Sequence, residues 1–201
     1  MYNYNTDKLV IIAYAVGAGG KFLANCLGIS ESACLQDWDL YELTSTEKKQ
    51  LLLNRLESTP KGTWSDLDLG CWQMFEKSID GMTAEEIHSI EWKFSGVVDI
   101  SNSDKYYFQT THDEHGYHEL INAFPNARTI NFINCNQLKR NSYNISIDLN
   151  INSEFTFDVT NYKTVTDTIK SIRIFYEHFN MKDFDSIFIS AFYKKWIAHI
   201  K

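Results

Sequence analysis

Between Lys8 and Ser30 the chain reads KLVIIAYAVGAGGKFLANCLGIS. An apolar run gives way to Gly17, Gly19 and Gly20, then to Lys21 and a helix-like segment. A glycine-rich turn entering a helix aims backbone N–H groups at one point. The helix dipole makes that point positive, and a lysine beside it adds a full charge. Gly17, Ala18, Gly19, Gly20, Lys21 and Phe22 are therefore candidates to hold a phosphate or sulfate, with Lys21 also placed to stabilise a charged leaving group. The loop lacks a metal ligand. In the pattern G-x-x-x-x-G-K-[ST] the last hydroxyl holds the magnesium that accompanies a nucleoside triphosphate. The matching window here, Ala15 to Phe22, puts alanine at the first glycine and phenylalanine at the hydroxyl. Such a loop suits an anion handled without magnesium, which speaks against a small-molecule kinase. The structural alternative is a turn whose glycines only let strand and helix pack closely.

The second chemical feature is His112, in KYYFQTTHDEHGYHEL. An imidazole with an ordinary pKa near ~6.5 is largely neutral at pH 7 and can accept a proton from an attacking group. His115 and His118 follow it at spacings that put them on adjacent helical turns, with His112 left on the strand end. A three-histidine metal site would need a particular bend, and no metal is expected. Cys26, Cys34, Cys71 and Cys135 form no CxxC pair, so neither a zinc knuckle nor a redox motif is spelled, and a reducing, cytoplasmic setting is expected. The net charge of −7 argues against a general nucleic-acid binder, and no run reaches the ~20 apolar residues of a membrane helix.

These residues need elements to position them. Residues 9–15 read as a strand buried on both faces, followed by a helix from Lys21 to Leu27. Thr44–Glu47 and Thr83–Glu86 spell capping boxes within a mostly helical insertion, 35–100, and the mixed-charge segment STEKKQLLLNRLES reads as a solvated helix face. The second of these helices is expected to carry Ile87, Ile90 and Phe94. Residues 105–112, 127–135 and 154–159 read as strands, with a short helix over 116–124. Val165, Ile169, Ile172, Tyr176 and Phe179 recur at helical spacing behind Thr164 and Asp167, and a last helix spans 184–200. Trp38, Trp64, Trp72 and Trp92 fall in the insertion and suit core packing. Strands separated by helices imply one α/β domain over 1–201, a three-layer sandwich around a mostly parallel sheet. Ligands in such sheets bind beyond the carboxyl ends of the strands, which points at the loops after Ala15, Gln109 and Ile133.

Three segments together resemble the P-loop sulfotransferase family. Val16–Leu23 is similar to its phosphosulfate loop, P-K-S-G-T-T-W-L, at Gly19, Phe22 and Leu23. Tyr107–His112 ends in T-T-H, where the family's strand ends in K-T-H with a catalytic histidine. ARTINFINCNQLKRNS follows the cadence of the segment whose arginine and serine bind the donor's 3′-phosphate. The resemblance implies 3′-phosphoadenosine 5′-phosphosulfate as donor, a hydroxyl or amine acceptor, His112 as base and no metal. It places Asn134 in the arginine's position, Ser142 in the serine's, and Arg140 as the nearest replacement cation. The family's loop lysine is Gly17 here, and the lysine of K-T-H is Thr110. A sulfotransferase-like fold that binds an anion without catalysis, as an interaction protein, is the alternative those substitutions favour.

Overall fold

The computed structural model describes residues 6–15, 18–34, 43–58, 83–89, 93–94, 98–99, 104–137 and 148–200. Their elements in chain order are β1 (Leu9–Ala13), α1 (Gly20–Gly28), α2 (Ser45–Ser58), α3 (Ala84–Ser89), β2 (Lys93–Phe94), β3 (Val98–Asp99), β4 (Tyr107–Thr111), α4 (Glu114–Ala123), β5 (Arg128–Ile133), β6 (Phe155–Asp158), α5 (Val165–His178) and α6 (Ser186–Ile200). Four strands form a parallel sheet in the order β4-β1-β5-β6. β1 lies inside it, with Ala13 registered between Thr111 of β4 and Asn131 of β5.

The twofold alternation of strand side chains sorts β1 into two cores. Val10, Ile12 and Tyr14 join Phe108, Ile130, Phe132 and Phe157 under α1, α5 and α6. Leu9, Ile11 and Ala13 join Tyr107 under Tyr117 and Leu120 of α4. This is an α/β arrangement with helices on both faces of a parallel sheet, consistent with three layers. Because α1 leaves β1 on one face and α4 leaves β4 on the other, the two loops part at the carboxyl edge. In doubly wound sheets ligands bind beyond the carboxyl ends of the strands.

The described residues of the insertion include two helices and a short strand pair. Both capping boxes form: Thr44 N–H donates to Glu47 Oε2 (2.8 Å) while Glu47 N–H donates back to Thr44 Oγ1 (3.3 Å), and Thr83 and Glu86 repeat the exchange. Ile90, expected on the second helix, lies outside the described residues, and Phe94 belongs to the short antiparallel pair β2–β3 instead of to that helix. Aromatic and β-branched residues on either side of Ser95–Gly96 favour that pairing. The four tryptophans of the insertion lie outside the described residues. Trp196, in contrast, is fully buried on α6.

α2 also departs from a solvated helix. Lys48 shares a face with Leu52 and Leu56 and is fully buried, its ammonium donating to the carbonyls of Ser30 and Ala33, each at 2.7 Å. It thereby ties α2 to the turn that leaves α1. Loss of hydration pushes its pKa down from 10.5 to about 8. The unfolded chain therefore binds a proton that the folded chain lacks between pH 8 and pH 10.5, and stability from this group rises with pH across that window. Cys34, raised by burial, works in the opposite direction. The comparison that isolates Lys48 is with Lys48→Met. In urea titrations the wild type should gain stability relative to that variant between pH 8 and pH 10, and a pH-independent difference would show that Lys48 is charged with an ordinary pKa.

Candidate functional site

Gly19 caps α1 in the left-handed region, at φ 86°. A Cβ there would lie 2.9 Å from the Tyr162 ring and 3.2 Å from Trp196, and Tyr162 Oη donates to Gly19 O at 2.9 Å. A Cβ on Gly20 would fall 2.1 Å from Tyr14 Cδ1. Ala18 and Phe22 are buried, and Phe22 stacks on Trp196 at a 4.3 Å centroid distance. Phe22 thus contributes its ring to the core, leaving only its N–H for a ligand. Gly19 and Gly20 have a packing reason for being glycine: each admits an aromatic ring that a larger residue would crowd.

The same turn also differs from the other described helix starts in its capping. Thr44, Thr83, Asp113, Thr164 and Asp185 each supply a side-chain oxygen to the first turn of the helix they precede. α1 alone among the six described helices begins on a glycine, with no side-chain cap and no acidic residue in its first turn. The N–H groups of an opening turn have no partner within the helix, and here the cationic Lys21 sits among them, half-buried. Gly17, expected to complete this loop, lies outside the described residues.

His112 leaves the end of β4 and meets the loop through Tyr14. Its Nε2 is 2.8 Å from Tyr14 Oη, with the rings 4.7 Å apart edge-on. Tyr14 in turn packs on Phe132 (5.5 Å) and against the open face of Gly20. The glycine turn and the histidine are therefore joined through one tyrosine that the sequence reading did not single out, although a bulky aromatic ahead of a glycine run is a visible signal. The partner fixes what His112 can do. If Nε2 carries the hydrogen and donates to Tyr14, Nδ1 is the basic nitrogen; if Tyr14 donates, Nε2 is occupied and Nδ1 carries the proton. His115 and His118 are exposed on α4, and among the described residues no group of three or more His, Cys, Asp or Glu is placed to hold a metal ion.

The end of β5 holds Asn134 in the left-handed region, at φ 61°. Its N–H and that of Cys135 both donate to the Asp148 carboxylate, at 2.9 and 2.7 Å. Successive N–H groups converging on an anion form a nest, and the chain's own aspartate occupies this one. The Asn134 amide donates to Asp158 Oδ2 at 2.9 Å. Burial works against the charge on Asp158, but bonds from Thr160 and Asn134 keep its pKa below the usual value. Cys135 is pushed up to about 12, first by burial and then by Asp148, so its thiol is inert as a nucleophile at neutral pH. Arg140 and Ser142 lie outside the described residues. Sequence reasoning missed Asp148, which is a surface aspartate until the fold brings it to the strand end.

No family model, no curated protein and no solved structure matches this chain. The site's central contact can be tested directly: Gly20→Ala should cost ~1–3 kcal/mol by overpacking against Tyr14, read from urea unfolding. Paired with Tyr14→Leu it should couple by ~1 kcal/mol or more, because the smaller side chain frees the space. Strictly additive losses would mean that residues 14 and 20 do not compete for one volume.

Proposed function

We propose that the carboxyl edge of β1 binds the oxyanion of a nucleotide donor and that the protein is a sulfotransferase, moving a sulfuryl group from 3′-phosphoadenosine 5′-phosphosulfate to a hydroxyl or amine. The observation that carries this reading is the uncapped start of α1 tied through Tyr14 to His112. An uncapped helix start beside a lysine favours a multiply charged anion. An imidazole one tyrosine away supplies the proton acceptor that transfer to a neutral hydroxyl requires. In the step itself, the acceptor oxygen forms a bond to sulfur as the bond from sulfur to the donor's phosphate oxygen breaks. The acceptor's proton passes to Nδ1 of His112, in the tautomer whose Nε2–H donates to Tyr14. The charge on the departing adenosine 3′,5′-bisphosphate falls on the first-turn amides and Lys21, as preorganised donors do in transfer reactions generally.

A second reading has its own support. The turn at Asn134, expected to face the donor's 3′-phosphate, already holds the Asp148 carboxylate, and the Asn134 side chain is spent on Asp158. That occupancy favours an anion-binding protein of the same fold without transfer.

Thermal shifts separate these readings from a kinase. Adenosine 3′,5′-bisphosphate should raise the melting temperature without metal, by more than sulfate and more than ATP with magnesium, since ligands that bind only the native state stabilise it. Lys21→Ala should weaken that ligand by ~1–3 kcal/mol. With sulfur-labelled donor and pooled hydroxyl and amine acceptors, His112→Ala should keep ligand binding and lose ~10²-fold or more of label transfer. Ligand binding without any transfer by the wild type would establish the binding protein, and no response to any of the three ligands would remove the site.

A further inference from the structure

The bond between His112 and Tyr14 survives a change of charge on the imidazole. Nε2 lies 2.8 Å from Tyr14 Oη, and a hydroxyl accepts from a ring N–H as readily as it donates to a bare ring nitrogen. In the tautomer whose Nε2–H donates to Tyr14, an added proton goes to Nδ1 and leaves that bond intact. The same phenol ring lies against the first turn of α1: a Cβ on Gly20 would fall 2.1, 2.3 and 2.5 Å from its Cδ1, Cε1 and Cγ. One ring therefore separates the imidazole from the start of α1. Because Tyr14 is fully buried, a field across it is screened less than one through water. The other titratable groups at this edge are Lys21 on α1, Asp113, Glu114 and the exposed His115 at the start of α4, and Cys135 and Asp148 beyond β5. Asp113 accepts from Gly116 N–H (2.6 Å), Glu114 from Asn150 N–H (2.8 Å) and Asp148 from the N–H groups of Asn134 and Cys135. These carboxylates and Lys21 carry their charges with or without a ligand, so a bound anion is the charge that varies.

We propose that an oxyanion bound at the α1 turn takes up one proton on His112, and that release of the anionic product is thereby gated by pH. The inference rests on the anion site of the proposed function and adds its regulation. A dianion across the Tyr14 ring favours the imidazolium, so the bound state holds the Nδ1 proton more tightly than the free state does. By linkage, the protonated protein binds the anion more tightly by the same factor. The sign follows directly: anion affinity is highest below the free imidazole's titration, falls as pH rises, and levels off above the bound imidazole's titration. One unit between the two is about a tenfold difference in affinity. In the transfer step the acceptor's O–H bond breaks and an N–H bond forms at Nδ1 while sulfur exchanges one oxygen for another. The product complex then holds adenosine 3′,5′-bisphosphate against an imidazolium, and passing that proton to water loosens the product.

The probe is inorganic sulfate, which stays a dianion across the range in which an imidazole titrates, whereas a phosphate ester changes its own charge near pH ~6. Calorimetric titration of the full chain at fixed ionic strength, between about pH 5.5 and pH 8.5, brackets an ordinary imidazole near ~6.5. Sulfate affinity should fall about tenfold across that range, with net proton uptake near neutrality read from buffers of different ionisation enthalpy. His112→Gln should bind with the wild type's high-pH affinity at every pH, and His115→Gln should keep the wild-type slope. In the wild type itself, sulfate should move the His112 ring titration, followed by proton resonance, to higher pH. Sulfate binding that is independent of pH, a slope that survives His112→Gln or disappears in His115→Gln, or a His112 titration unmoved by sulfate would overturn the proton link while leaving the anion site in place. No binding of sulfate or of adenosine 3′,5′-bisphosphate at any pH would remove the link and the site together.

Discussion

The Tyr14 ring occupies the space that any side chain at position 20 would need, and the meeting of β1, α1 and β4 follows from that packing. A strand buried on both faces ends in an aromatic residue whose hydroxyl must find a polar partner. The ring lies against the backbone at the start of α1, and its hydroxyl meets His112 at the end of β4. Gly19 repeats the device on the next residue, yielding to Tyr162 and Trp196. Tyr162 Oη then bonds the Gly19 carbonyl, so α5's leading turn and α6 hold the loop from the other side. The glycines therefore serve packing and leave a helix start without a side-chain cap. The two readings of a glycine-rich turn are compatible here.

The parallel sheet makes that helix start chemically relevant. Its order places β1 beside β4, and the helices that follow these two strands, α1 and α4, lie on opposite faces, so the loops after β1 and β4 part at the carboxyl edge. The strand ends bring Tyr14 of β1, His112 of β4, Asn134 and Cys135 of β5 and Asp158 of β6 to that edge. Asp148 enters from the segment before β6 and fills the nest at β5. One side of the edge thus carries the chain's own Asp148 carboxylate, and the other a helix start with no side-chain cap, the end at which the proposed function seats its anion.

Local signals in the sequence account for most of the elements. The run Leu9–Ala13, the two capping boxes and the spacing of Val165, Ile169 and Ile172 each depend on neighbours a few positions apart, and each forms where local chemistry directs it. Contacts made between distant segments were not legible. Gly19 meets Tyr162, 143 positions away, so the sequence displays a glycine without displaying the ring it serves. Lys48 is instructive in another way: its charge suggests solvent, while its register with Leu52 and Leu56 belongs to the buried face. The register prevails because two carbonyls at the exit from α1 replace the lost water. His112 was legible as a strand-end imidazole, but its orientation depends on Tyr14, and that pairing required the fold.

The central claim is that the first turn of α1 and His112 face one bound anion. Nitrogen–proton correlation spectra of the labelled protein, recorded as adenosine 3′,5′-bisphosphate is added in a chelator-containing buffer, test this most directly. The account predicts that the largest shifts fall on the amides of Gly19, Gly20 and Lys21 and on the ring protons of His112, saturating together. Saturable binding whose shifts lie elsewhere, with those amides and the His112 ring unmoved, would contradict it.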